Sequence, residues 1–423
     1  MRLYFHLLLF AFIASKANCQ SPILAISGII TNEMGEPLPY AHILITPAGT
    51  GNVSNSDGNF LIGINSMTDT ITVSYIGYQH YSIVASEFLN LKDGKIVLNE
   101  YIKQLNEVEV KGLKLSPADL LKEALTKIPL NYSTTSFGLE GFYREKSKVK
   151  PNSFISDGTP IKMGNGYNVT EAIFKIYQPP YSGKDSRKSV MLELVKARKV
   201  NITKNDDPSV DSLVSNSIKT FPSMLGAYTP FEYDLHKVNG LDFLDSFEDY
   251  EYTQSFTGLF NSKPIIRIDF DQKDNVTKCL YKGFALLDAN SLAFVEINYQ
   301  YSKKKIDKAF SMHLLGIGMT ALDENVLIKF RPDGTRWTLS YARIGYLFKL
   351  TLDRKLKGHK VNADFEINQS SEILITKIES NPGTTIPGNK QFGKHAKLDK
   401  HIAKDYDPNF WKDYSVLLIE KND

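Results

Sequence analysis

From Ile23 to Val110 the chain is a series of short apolar runs, each closed by turn residues, and that pattern restricts it to a sheet protein. Ile23–Ile30 is followed by Asn32-Glu33-Met34-Gly35-Glu36-Pro37, and Tyr40–Thr46 by Pro47-Ala48-Gly49-Thr50-Gly51. Asn59–Ile64, Thr70–Ile76, Tyr81–Val84, Lys95–Leu98 and Glu107–Val110 complete the series. Ile43 and Ile45 share one face of their run, and so do Val73 and Tyr75. A period of two means one buried and one wet face. Seven such runs with regular turn signals predict a β-sandwich.

Five segments of this stretch carry a resemblance. They are Gly28-Ile29-Ile30, Gly35-Glu36-Pro37-Leu38-Pro39-Tyr40-Ala41, Gly49-Thr50-Gly51, Ser56-Asp57-Gly58-Asn59-Phe60 and Tyr75-Ile76-Gly77-Tyr78. In order and spacing they resemble the carboxypeptidase regulatory-like (CarboxypepD_reg-like) domain of Bacteroidetes envelope proteins. The resemblance implies a seven-stranded Ig/prealbumin-like sandwich with a structural or docking role and no peptidase activity. The residues agree with it: Asp57-Gly58 supplies the positive φ of a tight hairpin, Phe60 starts the next strand as a core aromatic, and Gly77 permits a bend between two tyrosines.

The first residues read as an export leader. Arg2 is a positive n-region, Leu7 to Ala14 a short apolar core, and Ala17 and Cys19 small residues before a cut ahead of Gln20. The core is shorter than the ~20 residues of a membrane span. Cys19 also raises lipidation, but Lys16 and Asn18 stand where a lipobox wants Leu and a small residue. No later stretch has a spanning length without charges. With 50 basic and 47 acidic residues the net charge is +3, which leaves no electrostatic footprint for nucleic acid. After cleavage Cys279 is the single thiol, so no intramolecular disulfide is expected; its neighbours read as a strand and the residue as a buried one.

The expected organisation is a signal peptide at 1–19, the sandwich at 20–112, a helical linker at 113–135 and a larger antiparallel β domain at 136–423, possible as an open half-barrel. Ser116-Pro117-Ala118-Asp119 opens the linker helix with a capping hydroxyl, a proline suited to the first turn and an acid at the positive helix end. Leu120, Leu121, Ala124, Leu125 and Ile128 make its apolar stripe, and Pro129 ends it. Beyond it, strands are expected at Leu139–Glu145, Asn168–Tyr177, Val190–Val200, Pro264–Asp269, Leu280–Leu287, Ala293–Tyr301, Trp337–Leu347 and Phe365–Ile378. Leu139-Glu140-Gly141-Phe142-Tyr143-Arg144-Glu145 with Glu171-Ala172 resembles uncharacterised Bacteroidetes proteins with the same sandwich ahead of a β domain. The hairpin turning at Asp288 to Ser291 is similar to those of half-barrel lipoprotein carriers of the LolA kind. Tyr406-Asp407-Pro408-Asn409-Phe410-Trp411 is expected to pack a distal segment back onto the domain.

Catalytic frameworks are missing from the sequence. No histidine of the mature chain has Glu three residues on, and neither His-Glu-x-x-His nor Gly-x-Ser-x-Gly occurs. His395 and His401 lie in a lysine-rich segment that reads as a solvated face, Gly164-Asn165-Gly166 is a polar loop, and Asp242, Asp245, Glu248, Asp249 and Glu251 lack the glycine bend of a calcium loop. No catalytic, metal or cofactor residue is therefore assigned. Arg144 and Glu145 are the pair to inspect, either at a ligand site or as a strand-end pair fixing sheet register. Abundant Tyr and Phe, 22 and 24, read as core or as the lining of an apolar groove. The expected function is a non-enzymatic exported protein, periplasmic or outer-membrane-associated, that docks to an envelope partner. The alternative is a carrier holding an apolar ligand in the β domain. A membrane barrel is disfavoured, because Lys421-Asn422-Asp423 is no terminal aromatic strand.

Overall fold

The computed structural model describes residues 24–101, 115–203, 225–235, 241–356, 358–379, 385–402, 410–411 and 414–418. The expected cleavage site at Cys19 and Gln20, and the expected strand Glu107–Val110, lie outside these residues. The N-terminal unit contains β1 (Leu24–Asn32), β2 (His42–Thr46), β3 (Thr50–Val53), β4 (Asn59–Ile64), β5 (Thr70–Ser74), β6 (Tyr81–Val84) and β7 (Lys95–Leu98). One sheet has the order β4-β1-β7 and the other β3-β2-β5-β6. Between them Ile26, Ile30, Ile43, Ile45, Phe60, Ile62, Ile71, Val73 and Ile96 form a separate core. Each such side chain contributes about 1.5–3 kcal/mol on burial. The sequence pattern groups Thr50 and Gly51 with the turn; β3 instead starts at Thr50, because Thr50, Gly51 and Asn52 pair with Ile45, Leu44 and Ile43.

The linker helix spans Pro117–Thr126, with the Ser116 hydroxyl accepting from the Asp119 amide at 3.2 Å. Its buried Leu120, Leu121 and Ala124 press on the larger sheet, and a short turn at Ile128–Asn131 carries Pro129.

That sheet is built from β8 (Phe137–Ser156), β9 (Thr159–Pro160), β10 (Gly166–Gln178), β11 (Met191–Thr203), β12 (Tyr250–Phe260), β13 (Lys263–Gln272), β14 (Tyr281–Asp288), β15 (Phe294–Tyr301), β16 (Ser311–Leu314), β17 (Ile317–Asp333), β18 (Arg336–Leu356) and β19 (His359–Glu379). The order is β11-β10-β8-β19-β18-β17-β15-β14-β13-β12, with β16 on β17 and β9 on β8. The pairs are antiparallel. The end strands β11 and β12 do not pair with each other, so the sheet stays open and is no closed barrel. The hairpin from β14 to β15 turns on Asp288, whose carboxylate accepts from the amides of Asn290 and Ser291, both at 2.9 Å. The sequence pattern does not anticipate β9, β12, β16 or β17. Cys279 sits just before β14 rather than inside a strand, and is only half-buried.

One face of the sheet is filled by the chain itself. Leu120, Leu121, Phe231, Leu235, Phe243, Phe392 and Leu398 pack against Phe174, Ile268, Phe294, Ile328, Ile344 and Ile375. The other face carries the sandwich and the distal residues, with Val53, Phe142, Ile173, Tyr341, Leu374, Phe410, Trp411, Val416 and Leu417 in one cluster. β18 and β19 are 21 residues each, a length of roughly 70 Å at about 3.3 Å per residue. Their far ends outrun this body and build a second small core of Val149, Phe154, Phe348, Leu350, Val361, Phe365 and Ile367.

Candidate functional site

Strand register assembles a row of alternating charge under the sandwich. Arg198 of β11 lies opposite Glu171 of β10, Glu171 opposite Arg144 of β8, Arg144 opposite Glu372 of β19, and Glu372 opposite Arg343 of β18. Arg144 and Glu171 are 2% and 1% exposed, so water cannot stand in for a missing partner. The Arg144 guanidinium donates to Glu171 through Nε at 2.9 Å and a terminal nitrogen at 2.7 Å. Arg198 donates from Nε to the second Glu171 oxygen at 2.7 Å, and the Trp411 indole N–H to the same oxygen at 3.0 Å. Glu372 lies 3.7 Å from Arg144 and accepts from the Tyr341 hydroxyl at 2.5 Å. Burial alone would raise the Glu171 carboxyl, but the guanidiniums of Arg144 and Arg198 hold it below the usual carboxylate range. Burial likewise works against the Arg144 charge, and Glu171 and Glu372 more than restore it.

The row also grips the distal residues. Arg144 donates to the carbonyls of Leu417 and Leu418, while Lys196 donates to the Phe410 carbonyl at 2.7 Å and lies over the Phe410 ring. On its other side Val416 bridges Leu61 of β4 and accepts from Asn52 at 3.4 Å, and Ser415 accepts from the Gly63 amide at 3.3 Å. One segment thus ties the sheet's charged row to the sandwich. The joint has further contacts. Lys329 donates to the Tyr40 carbonyl at 2.9 Å and pairs with Glu296 at 3.1 Å, and Tyr40 stacks on Tyr341. Gly77 donates its amide to Leu259, and a Cβ on Gly258, at φ +116, would stand 3.0 Å from the Gly77 Cα. Two bare backbones meet here, a closeness only glycine allows.

Sequence reasoning singled out Arg144 and Glu145 as a pair, and the structure separates them. Successive residues of a strand face opposite ways. Arg144 lies under the sandwich, whereas Glu145 is on the helix side, accepting from the Tyr143 hydroxyl at 2.7 Å. Glu372, Arg198 and Arg343 were missed, because register alone brings them together. Gly77 lies in the turn after β5 rather than bending a strand.

A second polar cluster, also missed, sits on the helix side. Glu324 of β17 is buried, with Tyr233 donating to it at 3.0 Å and Tyr281 at 3.2 Å; the Tyr233 and Tyr346 hydroxyls are 2.6 Å apart. Burial raises the Glu324 carboxyl, and the hydroxyls of Tyr233, Tyr301, Tyr281 and Tyr346 pull it part of the way back. The Cys279 thiol is pushed up by burial and so is not an activated nucleophile. Among the described residues, no group of three or more His, Cys, Asp or Glu is placed to hold a metal ion. A cleft of about 380 Å³ between β8, β10 and the 385–390 segment is lined by Phe137, Ile176, Tyr177, Ile386 and the charged Lys175 and Glu379.

The model of the CarboxypepD_reg-like domain family matches residues 26–110. The N-terminal sandwich is a CarboxypepD_reg-like domain. A curated relative, the TonB-dependent receptor SusC of Bacteroides thetaiotaomicron, is 31% identical over 98 residues, which are 23% of this chain and 10% of SusC. The chain therefore spans about a tenth of the length of that relative. Among solved structures, a DUF1329 family protein from Desulfovibrio piger aligns over 64% of this chain and 93% of its own, at 9% identity and a TM-score of 0.22. Lipovitellin aligns over 58% of this chain and 26% of its own, at 12% identity and a TM-score of 0.20. No helix among the described residues is long and apolar enough to cross a membrane.

Proposed function

We propose that this chain is a non-enzymatic exported protein of the envelope, periplasmic or outer-membrane-associated, in which the CarboxypepD_reg-like domain is a docking head fixed to a β-sheet body. The observation that carries this reading is the state of the sandwich edges. β3 lies against the large sheet and β4 is bridged by Val416, while among the described residues no strand pairs the outer edges of β6 and β7. An open edge offers backbone donors and acceptors to an added strand. The charged row supports a structural role for the joint, since Arg144, Glu171 and Arg198 are bonded to one another. The similarity to a segment of SusC supports an envelope setting.

The test is a photo-crosslinking residue at Val97 on β7, with a second at Val195 on β11, in cells of a Bacteroidetes host. Capture of a discrete envelope protein from Val97 and not from Val195 is the expected result. Recovery of the chain in the cytoplasm, or no capture from Val97, would overturn the proposal. A carrier reading draws on the 380 Å³ cleft. Against it, the face that an apolar ligand would use is filled by Leu120, Leu121, Phe231 and Phe243. Solvent extraction and mass spectrometry of the purified protein decide the matter: an apolar molecule at one per chain would favour the carrier.

A further inference from the structure

The far end of the long strands exposes apolar surface out of proportion to the rest. Of thirteen exposed large hydrophobic residues among the described residues, five are Phe310, Met312, Leu314, Leu315 and Leu356. Backbone pairing brings them to one rim. β16 pairs with β17 through Met312–Met319 and Leu314–Ile317, β17 with β18 through Met319–Leu350 and Ile317–Leu352, and β18 ends where Leu356 meets His359. The turn at Leu315-Gly316 abuts β18, with the Asp353 amide donating to the Gly316 carbonyl at 2.7 Å. Met312, Leu314, Ile317, Met319, Leu350 and Leu352 therefore share one face. That face is continuous with the small core of Phe348, Phe365 and Phe154, and it loses its cover toward the rim. All four residues of β16 are exposed. Leu315 is 80% exposed at φ +49, a conformation that disfavours a leucine and that solubility alone would fill with Asn or Gly.

The same rim is basic. Lys305 and Lys308, with Asp307, lead into Phe310, while Lys303 and Lys304 pair with Asp323 and Asp274; Arg354, Lys355 and Lys360, with Asp353 and Asp157, flank Leu356. Five cations against three carboxylates leave this rim net positive. An apolar edge bordered by cations complements an interface of buried acyl chain and anionic headgroup.

We propose that this rim seats on an anionic lipid surface, with Phe310, Met312, Leu314 and Leu315 entering the headgroup boundary and the lysines meeting lipid phosphates. The contact is independent of the docking edge on the sandwich, so either assignment can fail without the other. The experiment is co-sedimentation of the full chain with vesicles of phosphatidylcholine containing 30% phosphatidylglycerol, against pure phosphatidylcholine. Binding to the anionic vesicles, falling as salt rises, is expected. The Leu314→Asp/Leu315→Asp variant should bind at least tenfold more weakly. Replacing Lys305 and Lys308 by Gln should cost about fivefold for each lysine. Leu314, Leu315 and Lys308 are exposed and Lys305 is half-buried, and an unaltered thermal melt shows that both variants fold. Equal retention on both vesicle types, no retention on either, or unchanged binding by the leucine variant overturns the proposal. A rim-dependent dimer in sedimentation velocity, lost in the leucine variant and without vesicle binding, overturns it in favour of a second copy of the chain.

Discussion

Replacing Glu171 by alanine should release the distal residues and destabilise the joint by about 3–5 kcal/mol, the usual effect of removing one partner of a buried ion pair. The carboxylate accepts four hydrogen bonds, two from Arg144 and one each from Arg198 and Trp411. Arg198 is 23% exposed and can turn to solvent, whereas Arg144 at 2% cannot. Most of the loss therefore belongs to a stranded Arg144 charge, left with two carbonyls and a carboxylate at 3.7 Å. Against a total stability of ~5–15 kcal/mol, this is about a fifth of the whole or more. Urea denaturation followed by tryptophan fluorescence suits the question, because the protein has two tryptophans and one of them, Trp411, touches Glu171. Limited proteolysis should at the same time cut near residues 410–418 in the variant and spare the parent. The double variant Arg144→Met/Glu171→Leu removes both charges and should recover at least half of the loss. A single-variant effect below about 1 kcal/mol would refute the claim that this row holds the joint together.

Acid should act on the same carboxylate: its folded-state pKa is depressed, so its contribution is present above the unfolded value and is lost as pH falls through the folded one, a slope that a urea titration should show and Glu171→Gln should remove. Glu324 has the opposite sign. Its raised pKa means stability present below the unfolded value and lost as pH rises through the folded value, so Glu324→Gln should flatten that decline in thermal melts across mildly acidic pH. Arg331 is buried and, among the described residues, none of its three guanidinium nitrogens has a partner; burial drops its pKa to about 10 despite Asp333. Relative to its ordinary value this corresponds to ~3 kcal/mol, so Arg331→Met should raise the melting temperature, and a fall would show an acceptor at that position. Gly258→Ala should loosen the contact with Gly77 by roughly 1–3 kcal/mol, read as faster cleavage at the joint in limited proteolysis.

The sandwich was legible because its signals are local. Ile43 and Ile45, or Phe60 after Asp57-Gly58, declare strand and turn within a few residues, and the folded domain buries those same side chains. β17 was hidden for the opposite reason. Asp323-Glu324-Asn325, Lys329 and Arg331 read as a polar stretch, yet Glu324 is covered by tyrosines from three other segments, and Lys329 by Glu296 and Tyr40. Arg144 could be singled out as a charge within an apolar run. Its partners lie 27 residues away at Glu171 and on a strand ending at Glu379, and no spacing rule connects them. Leu139 and Phe142 marked a strand, but only the pairing of β8 with both β10 and β19 reveals which face Arg144 occupies.

The bridge through Val416 also orders the events of folding. Asn52 and Val416 are separated by 364 positions. The ribosome delivers the sandwich first, and its separate core permits an early collapse. Its β4 border then waits, bare and ready to pair with any passing strand, until the chain has been made as far as Val416. Such long-range closure is slow. The vulnerable interval in the life of this molecule is therefore the one before Val416 arrives.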